Sequence, residues 1–128
     1  EYLFDELRKK WILNSPEEKV RQYFWKFLHY EKKYPKSLIA IEKKIKVNQL
    51  TKRVDILVYG SNGKPNIIVE CKSSNLKISE KTMHQILNYQ SSLQANLLVL
   101  TNGLDTYCLS IDYKNNKSNF LNSIPEYS

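Results

Sequence analysis

The run from Lys52 to Lys72 constrains this chain more than any other stretch. Lys52-Arg53-Val54-Asp55-Ile56-Leu57-Val58-Tyr59 and Asn66-Ile67-Ile68-Val69-Glu70-Cys71-Lys72 are apolar runs of strand length, separated by the turn residues Ser61-Asn62-Gly63-Lys64-Pro65. Such a pattern predicts a β-hairpin. A strand buried on both faces reads as an unbroken apolar run, so Asp55, Glu70 and Lys72 each need a physical reason. Two reasons compete. The charges can line a sheet edge and turn to water, where a cross-strand ion pair is worth at most about 1 kcal/mol. Alternatively, the two carboxylates converge on a cation.

Side chains alternate along a strand, which puts Glu70 and Lys72 on one face and Ile67, Val69 and Cys71 on the other. In a hairpin of this loop length Asp55, two or three residues into the partner strand, can lie near Glu70, although the sequence does not fix the register. Carboxylates brought together repel and raise a pKa. A divalent cation removes that penalty, and Mg²⁺ takes only one or two protein carboxylates while keeping several waters. With Lys72 beside it, such a group suits phosphodiester hydrolysis, in which a metal activates water and offsets charge in the transition state.

The flanking chain supplies a frame. Residues 1–14 carry Phe4, Leu7 and Trp11 at spacings of three and four, which predicts a short amphipathic helix or an arm packed on the body. Ser15-Pro16-Glu17-Glu18 is a helix start, with Ser15 as cap, Pro16 in the first turn and Glu18 closing a capping box. The helix presents Val20, Phe24, Phe27 and Leu28 and ends near Lys32, before Tyr34-Pro35. From Leu38 to Val47 the alternation predicts a half-buried strand with Ile39, Ile41, Ile45 and Val47 on one face, and Glu42, Lys44 and Lys46 on the other. Asn48 to Thr51 is a turn. A second helix is expected over residues 80–94, with Met83, Ile86, Leu87, Gln90 and Leu93 inward and Gln85 and Tyr89 together on its flank. Leu97 to Thr101 and Thr106 to Ile111 read as strands, and residues 113–128 as a tail ending in an edge strand or a frayed segment. The order helix, three strands, helix, two strands predicts one α/β domain over residues 1–128, with its core at 15–112. Its mixed sheet is flanked by helices, and its parallel pair is joined through the second helix.

Charge narrows the class of partner. The net charge is +7, and residues 32–53 hold eight Lys/Arg against the single acid Glu42. That concentration is the footprint of a polyanion binder, although a lysine-rich solvated face gives the same count. Cys71 and Cys108 sit in apolar strands and are expected to be buried reduced thiols, as in a cytoplasmic protein. With His29 and His84 well apart, zinc-ligand spacing is absent. No apolar run reaches the roughly 18–20 residues of a membrane span. A chain starting at Glu1 rather than Met is expected to have had sequence before it.

Asp55, a fourteen-residue gap, and then Glu70-Cys71-Lys72 resemble the PD-(D/E)XK nuclease superfamily, whose αβββαβ order matches the one read above. Pro16-Glu17-Glu18-Lys19-Val20-Arg21-Gln22, Arg53-Val54-Asp55, Ile68-Val69-Glu70-Cys71-Lys72, Gln85-Ile86-Leu87-Asn88-Tyr89 and Thr101-Asn102-Gly103 together look like the N-terminal nuclease domain of type I restriction enzyme R subunits, especially its short stand-alone relatives. The similarity covers about residues 15–112. It implies a restriction-endonuclease-like core and a Mg²⁺-dependent DNA endonuclease in which Mn²⁺ can substitute. Asp55 and Glu70 would bind the metal with the backbone carbonyl of Cys71, Lys72 would act on the water or the phosphate, and Glu18 is a candidate further ligand. Gln85 and Tyr89 match a Q-x-x-x-Y element that contacts nucleic acid or supports the site, and Lys44, Lys46, Lys52 and Arg53 are candidate DNA contacts. DNA is the implied partner, with a homodimer or a larger restriction-type complex left open. Val54 stands where the superfamily often has proline, a position that touches no chemistry. Helicase motifs do not occur in these residues, so ATP-driven translocation is not implied. The competing expectations are a nucleic-acid-binding module with an idle or partner-dependent site, and a structural domain whose hairpin charges merely pair at an edge.

Overall fold

A computed structural model describes all of residues 1–128. Its centre is a six-stranded sheet formed by β3 (Ile39–Val47), β4 (Leu50–Tyr59), β5 (Pro65–Cys71), β6 (Leu97–Thr101), β7 (Thr106–Asp112) and β8 (Lys117–Leu121), paired in that order. Only β5 and β6 run parallel, and helix α2 (Glu80–Gln90) lies between them in sequence. The expected mixed sheet and the hairpin over 52–72 are both present. The tail does end as an edge strand, β8, against β7.

Helix α1 (Pro16–Tyr30) begins as its cap predicts, with Ser15 Oγ accepting from the Glu18 N–H at 3.1 Å. Its buried side carries Val20, Phe24, Trp25 and Leu28 onto one face of the sheet, against Ile56, Val58, Ile67, Val69 and Val99. Helix α2 covers the opposite face, where Met83 packs with Val54, Leu57, Ile68, Leu98 and Leu100. It stops at Gln90 rather than Gln94, because the chain tightens into a 3-10 turn over Ser91–Leu93 and Gln94 turns left-handed at φ 52°.

Two expectations need revision. Of the helix or packed arm expected for residues 1–14, the structure has the arm, with Leu7 against the core. These residues make a separate hairpin of β1 (Tyr2–Asp5) and β2 (Lys10–Leu13), in which Phe4 faces Trp11 across the strands with ring centroids 5.4 Å apart. The seven-residue gap that suggested two helical turns is also the gap across this turn. Asp5 decides between them: its buried carboxylate accepts the N–H groups of Leu7 and Arg8, an Asx-type turn that competes with a helix.

The second revision concerns β3. Ile39 and Ile41 pack toward α1, but Ile45 and Val47 pack toward α2. The alternation breaks at Glu42, which takes a left-handed φ of 51°. The partner strand changes sides at the facing residue: Ile56 and Val58 look toward α1, while Val54 looks toward α2. Asp55 therefore sits at a kink shared by two strands, between Val54 and Ile56.

Candidate metal centre

The kink opens a fork in the sheet. Pairing between β4 and β5 ends at Ile56↔Val69, so the next backbone groups of β5 lose their ladder partner. Asp55 replaces that partner, its Oδ2 accepting the Cys71 N–H at 2.8 Å. A buried backbone donor must be satisfied, and here a side chain does it. Asp55 is thereby fixed at the carboxyl ends of β5 and β6, the end at which open α/β sheets place their ligand crevices.

Glu70 lies close enough to the Asp55 carboxyl for the two charges to act on each other. Ile67, Val69 and Cys71 share the α1 face of β5, which by alternation leaves Glu70 the opposite face. Burial pushes the Glu70 pKa up first, the Asp55 charge adds to this, and Lys72 only partly offsets them; the result is about 7. Glu70 has no ion-pair partner, whereas Asp55 has Arg21. Lys72 is half-buried, close enough for its charge to act on Glu70, and its backbone N–H is tied to the Thr101 carbonyl at 2.8 Å. The three charges that interrupted the strands therefore meet at one place rather than dispersing along an edge.

The spacing did not announce the guanidinium cluster beside them. Arg21, buried in α1, donates Nη1 to Asp55 Oδ1 at 2.8 Å and Nη2 to Glu18 Oε1 at 3.0 Å. Arg8, from the turn of the N-terminal hairpin, donates to Asp5, to Glu42, and to Glu18 Oε2 at 2.8 Å. Glu42 also pairs with Arg53. Burial alone would raise the Glu18 pKa, but the bonds from Arg21, Arg8 and Gln22 outweigh it and hold the carboxyl below its usual range. The available signal was Glu18-x-x-Arg21, an i,i+3 pair on the helix face that meets the sheet. Nothing in the sequence pointed to Arg8.

The remaining candidates spread outward. Lys44 and Lys46 are exposed on β3, and Arg53 is exposed on β4 but tied to Glu42. Lys52 lies over the Tyr89 ring, 4.0 Å from its centroid, which links β4 to α2. Gln85 and Tyr89 are both exposed on α2. The inward amide is instead Gln90, whose Nε2 donates to the Arg53 carbonyl at 3.3 Å. A groove of about 400 Å³ runs past Pro16, Lys19, Ser74, Asn75 and Gly103, beside the loop that follows Lys72. A roomier cavity of about 520 Å³ lies at the other end of β4 and β5, around Asn62 and Tyr127, away from these charges.

The donor set fits a small hard cation. Asp55 has a lone pair left on each oxygen after its two bonds, and Glu70 has all of its own free of basic partners. No third His, Cys, Asp or Glu side chain completes a cluster with them. That suits an ion that fills most of its shell with water.

Residues 16–125 match the family model described as type I restriction enzyme R protein N terminus. Among solved structures, the fold resembles a fragment described as the HsdR subunit of a type I restriction enzyme from Vibrio vulnificus YJ016, with a TM-score of 0.60 and 21% identity. That match covers 88% of this chain but only 24% of the fragment. Comparison with curated proteins finds no match. With the family model spanning most of its length, the chain belongs to the type I restriction enzyme R protein N-terminal family.

Proposed function

We propose that this domain is a Mg²⁺-dependent DNA endonuclease with a PD-(D/E)XK core, working in a restriction-type system. The observation that carries this reading is the convergence of Asp55 and an unpaired Glu70 at the fork between β4 and β5, with Lys72 beside them. Two carboxylates held close together, one buried and one half-buried, without a cation between them are costly, and structural ion pairing does not explain Glu70.

Asp55, Glu70 and the Cys71 carbonyl would hold the metal. When bound, it lowers the pKa of a coordinated water and offsets phosphate charge. The chain's own residues do the rest. The Cys71 N–H and Arg21 fix both oxygens of Asp55, so that carboxylate needs no reorganisation when it binds a ligand. Lys72 keeps its ammonium free of ion pairs for the scissile phosphate or the attacking water. Lys44 and Lys46 add sequence-independent attraction for the DNA backbone, while Gln85 and Tyr89 present polar and aromatic contacts from α2.

Incubating the folded domain with supercoiled plasmid and with single-stranded DNA tests this reading. Nicking or cutting is expected with Mg²⁺ or Mn²⁺ and is lost with chelator, in Asp55→Ala and in Lys72→Ala. Intact DNA of every form under both metals would refute stand-alone cleavage. One observation favours a second reading, that the site is idle until a partner acts: Arg21 already occupies one oxygen of Asp55. Under that reading the domain binds DNA with a steep salt dependence, and cutting appears only when the rest of a restriction-type complex is added.

A further inference from the structure

We propose that the site takes one divalent cation per chain, between Asp55 and Glu70, and that Arg21 is a built-in second positive charge anchored by Glu18. The inference rests on the reading above that Asp55 and Glu70 bind a cation, and it removes Glu18 from the ligand set.

An ionised carboxylate offers about four acceptor sites. Glu18 has four donors on them: Arg21 Nη2 on Oε1 at 3.0 Å, then Arg8 Nη2 at 2.8 Å, Gln22 Nε2 at 3.2 Å and Arg21 Nε at 3.3 Å on Oε2. Oε2 is crowded by three donors, and the one open acceptor site, on Oε1, lies beside the Arg21 guanidinium. A metal on that site would set its charge directly against Arg21, whose side chain is 7% exposed and whose guanidinium keeps its charge at any ordinary pH.

The place a second cation would take is already filled. It would lie between the acid on α1 and the acid on β4, bridging Glu18 and Asp55. Arg21 makes that bridge, with Nη1 on Asp55 and Nη2 on Glu18. The other acid on this side, Glu42, is held by Arg8 and Arg53. Glu70 alone faces Asp55 with no basic partner, so the remaining deficit of positive charge is local to that pair. Two-metal hydrolases use a second ion to clamp and neutralise; here a covalently attached cation holds that position and orients Asp55. Arg21 is a positioning residue, since it acts through Asp55.

Mn²⁺ titration of the full chain, followed by calorimetry and by the electron paramagnetic resonance signal of free Mn²⁺, tests this directly. One Mn²⁺ per chain is expected, with Glu18→Gln binding within about threefold of wild type. Arg21→Met is expected to gain a second Mn²⁺, because removing the guanidinium frees Glu18 and one oxygen of Asp55. Two ions on the wild type would overturn the inference, as would a loss of tenfold or more in a folded Glu18→Gln. A folded Arg21→Met that still binds one ion would show that Arg21 is not what excludes the second. If Glu18→Gln does not fold, the wild-type stoichiometry decides. Failure of the wild type to bind any Mn²⁺ is a different result, and it removes the metal-site reading itself.

Discussion

Glu70→Gln should make the metal-free protein more stable at pH 8, although it removes a residue of the proposed active site. In the fold the Glu70 carboxyl titrates near 7, against 4.5 for an ordinary glutamate, because burial and Asp55 both oppose its charge. At roughly 1.4 kcal/mol per pH unit, that gap would correspond to about 3–4 kcal/mol. Glu70 is partly exposed, and solvent screening reduces the figure to about 1–2 kcal/mol. The sign follows from proton linkage. Between pH 4.5 and 7 the folded state binds more protons than the unfolded state, so stability falls as pH rises through that window and the penalty is complete above it. For a domain of this size, 1–2 kcal/mol moves Tm by roughly 3–10 °C. Thermal melts in chelator at pH 8 and pH 4, read by circular dichroism, check this. The variant should melt higher at pH 8 and level with wild type at pH 4, below the ordinary glutamate pKa, and it should lose the stabilisation that Mn²⁺ gives the wild type. A variant that melts lower than wild type at pH 8, or gains equally at both pH values, would refute the claim that Glu70 is an unpaired charge.

Glu18→Ala should cost about 1.5–3 kcal/mol in urea unfolding at pH 7, since Arg21 and Arg8 lose their shared carboxylate but keep Asp55, Asp5 and Glu42. The Glu18 contribution is present above the ordinary glutamate range and fades as pH falls through its lowered folded value, so the gap between the two proteins should narrow in acid. Asp55→Ala should reduce metal-dependent cleavage by at least roughly 10²–10³-fold, with DNA binding measured by anisotropy largely kept. The double change Lys44→Ala and Lys46→Ala should weaken binding to all DNA sequences alike and flatten the log–log salt dependence by about 0.9 for each phosphate no longer neutralised.

The hairpin and both helix starts were legible because each rests on a short-range rule: alternation, capping or turn chemistry. The parallel pair followed from the strand–helix–strand order, and the approach of Asp55 to Glu70 was open until the register was known. What was missed came from longer range. Phe4 and Trp11 have one spacing that satisfies either a helix face or a hairpin pair, and the buried Asp5 turn decides between them. The side change at Glu42 could not be read from alternation, because a single left-handed residue reverses every inference beyond it. Arg8 reaches Glu18 only because the N-terminal hairpin folds back over α1. Family membership followed from several motifs in order, whereas the residues that neutralise Glu18 lie outside those motifs or read as ordinary helix charges.

The central claim is that Asp55 and Glu70 share one cation. Anomalous scattering from a crystal of this chain soaked in Mn²⁺ tests it most directly. One manganese peak is expected within coordination distance of both carboxylates, with the Arg21–Glu18 bridge intact beside it. Manganese bound elsewhere and absent from that fork, in crystals where both carboxylates are ordered, would contradict the account.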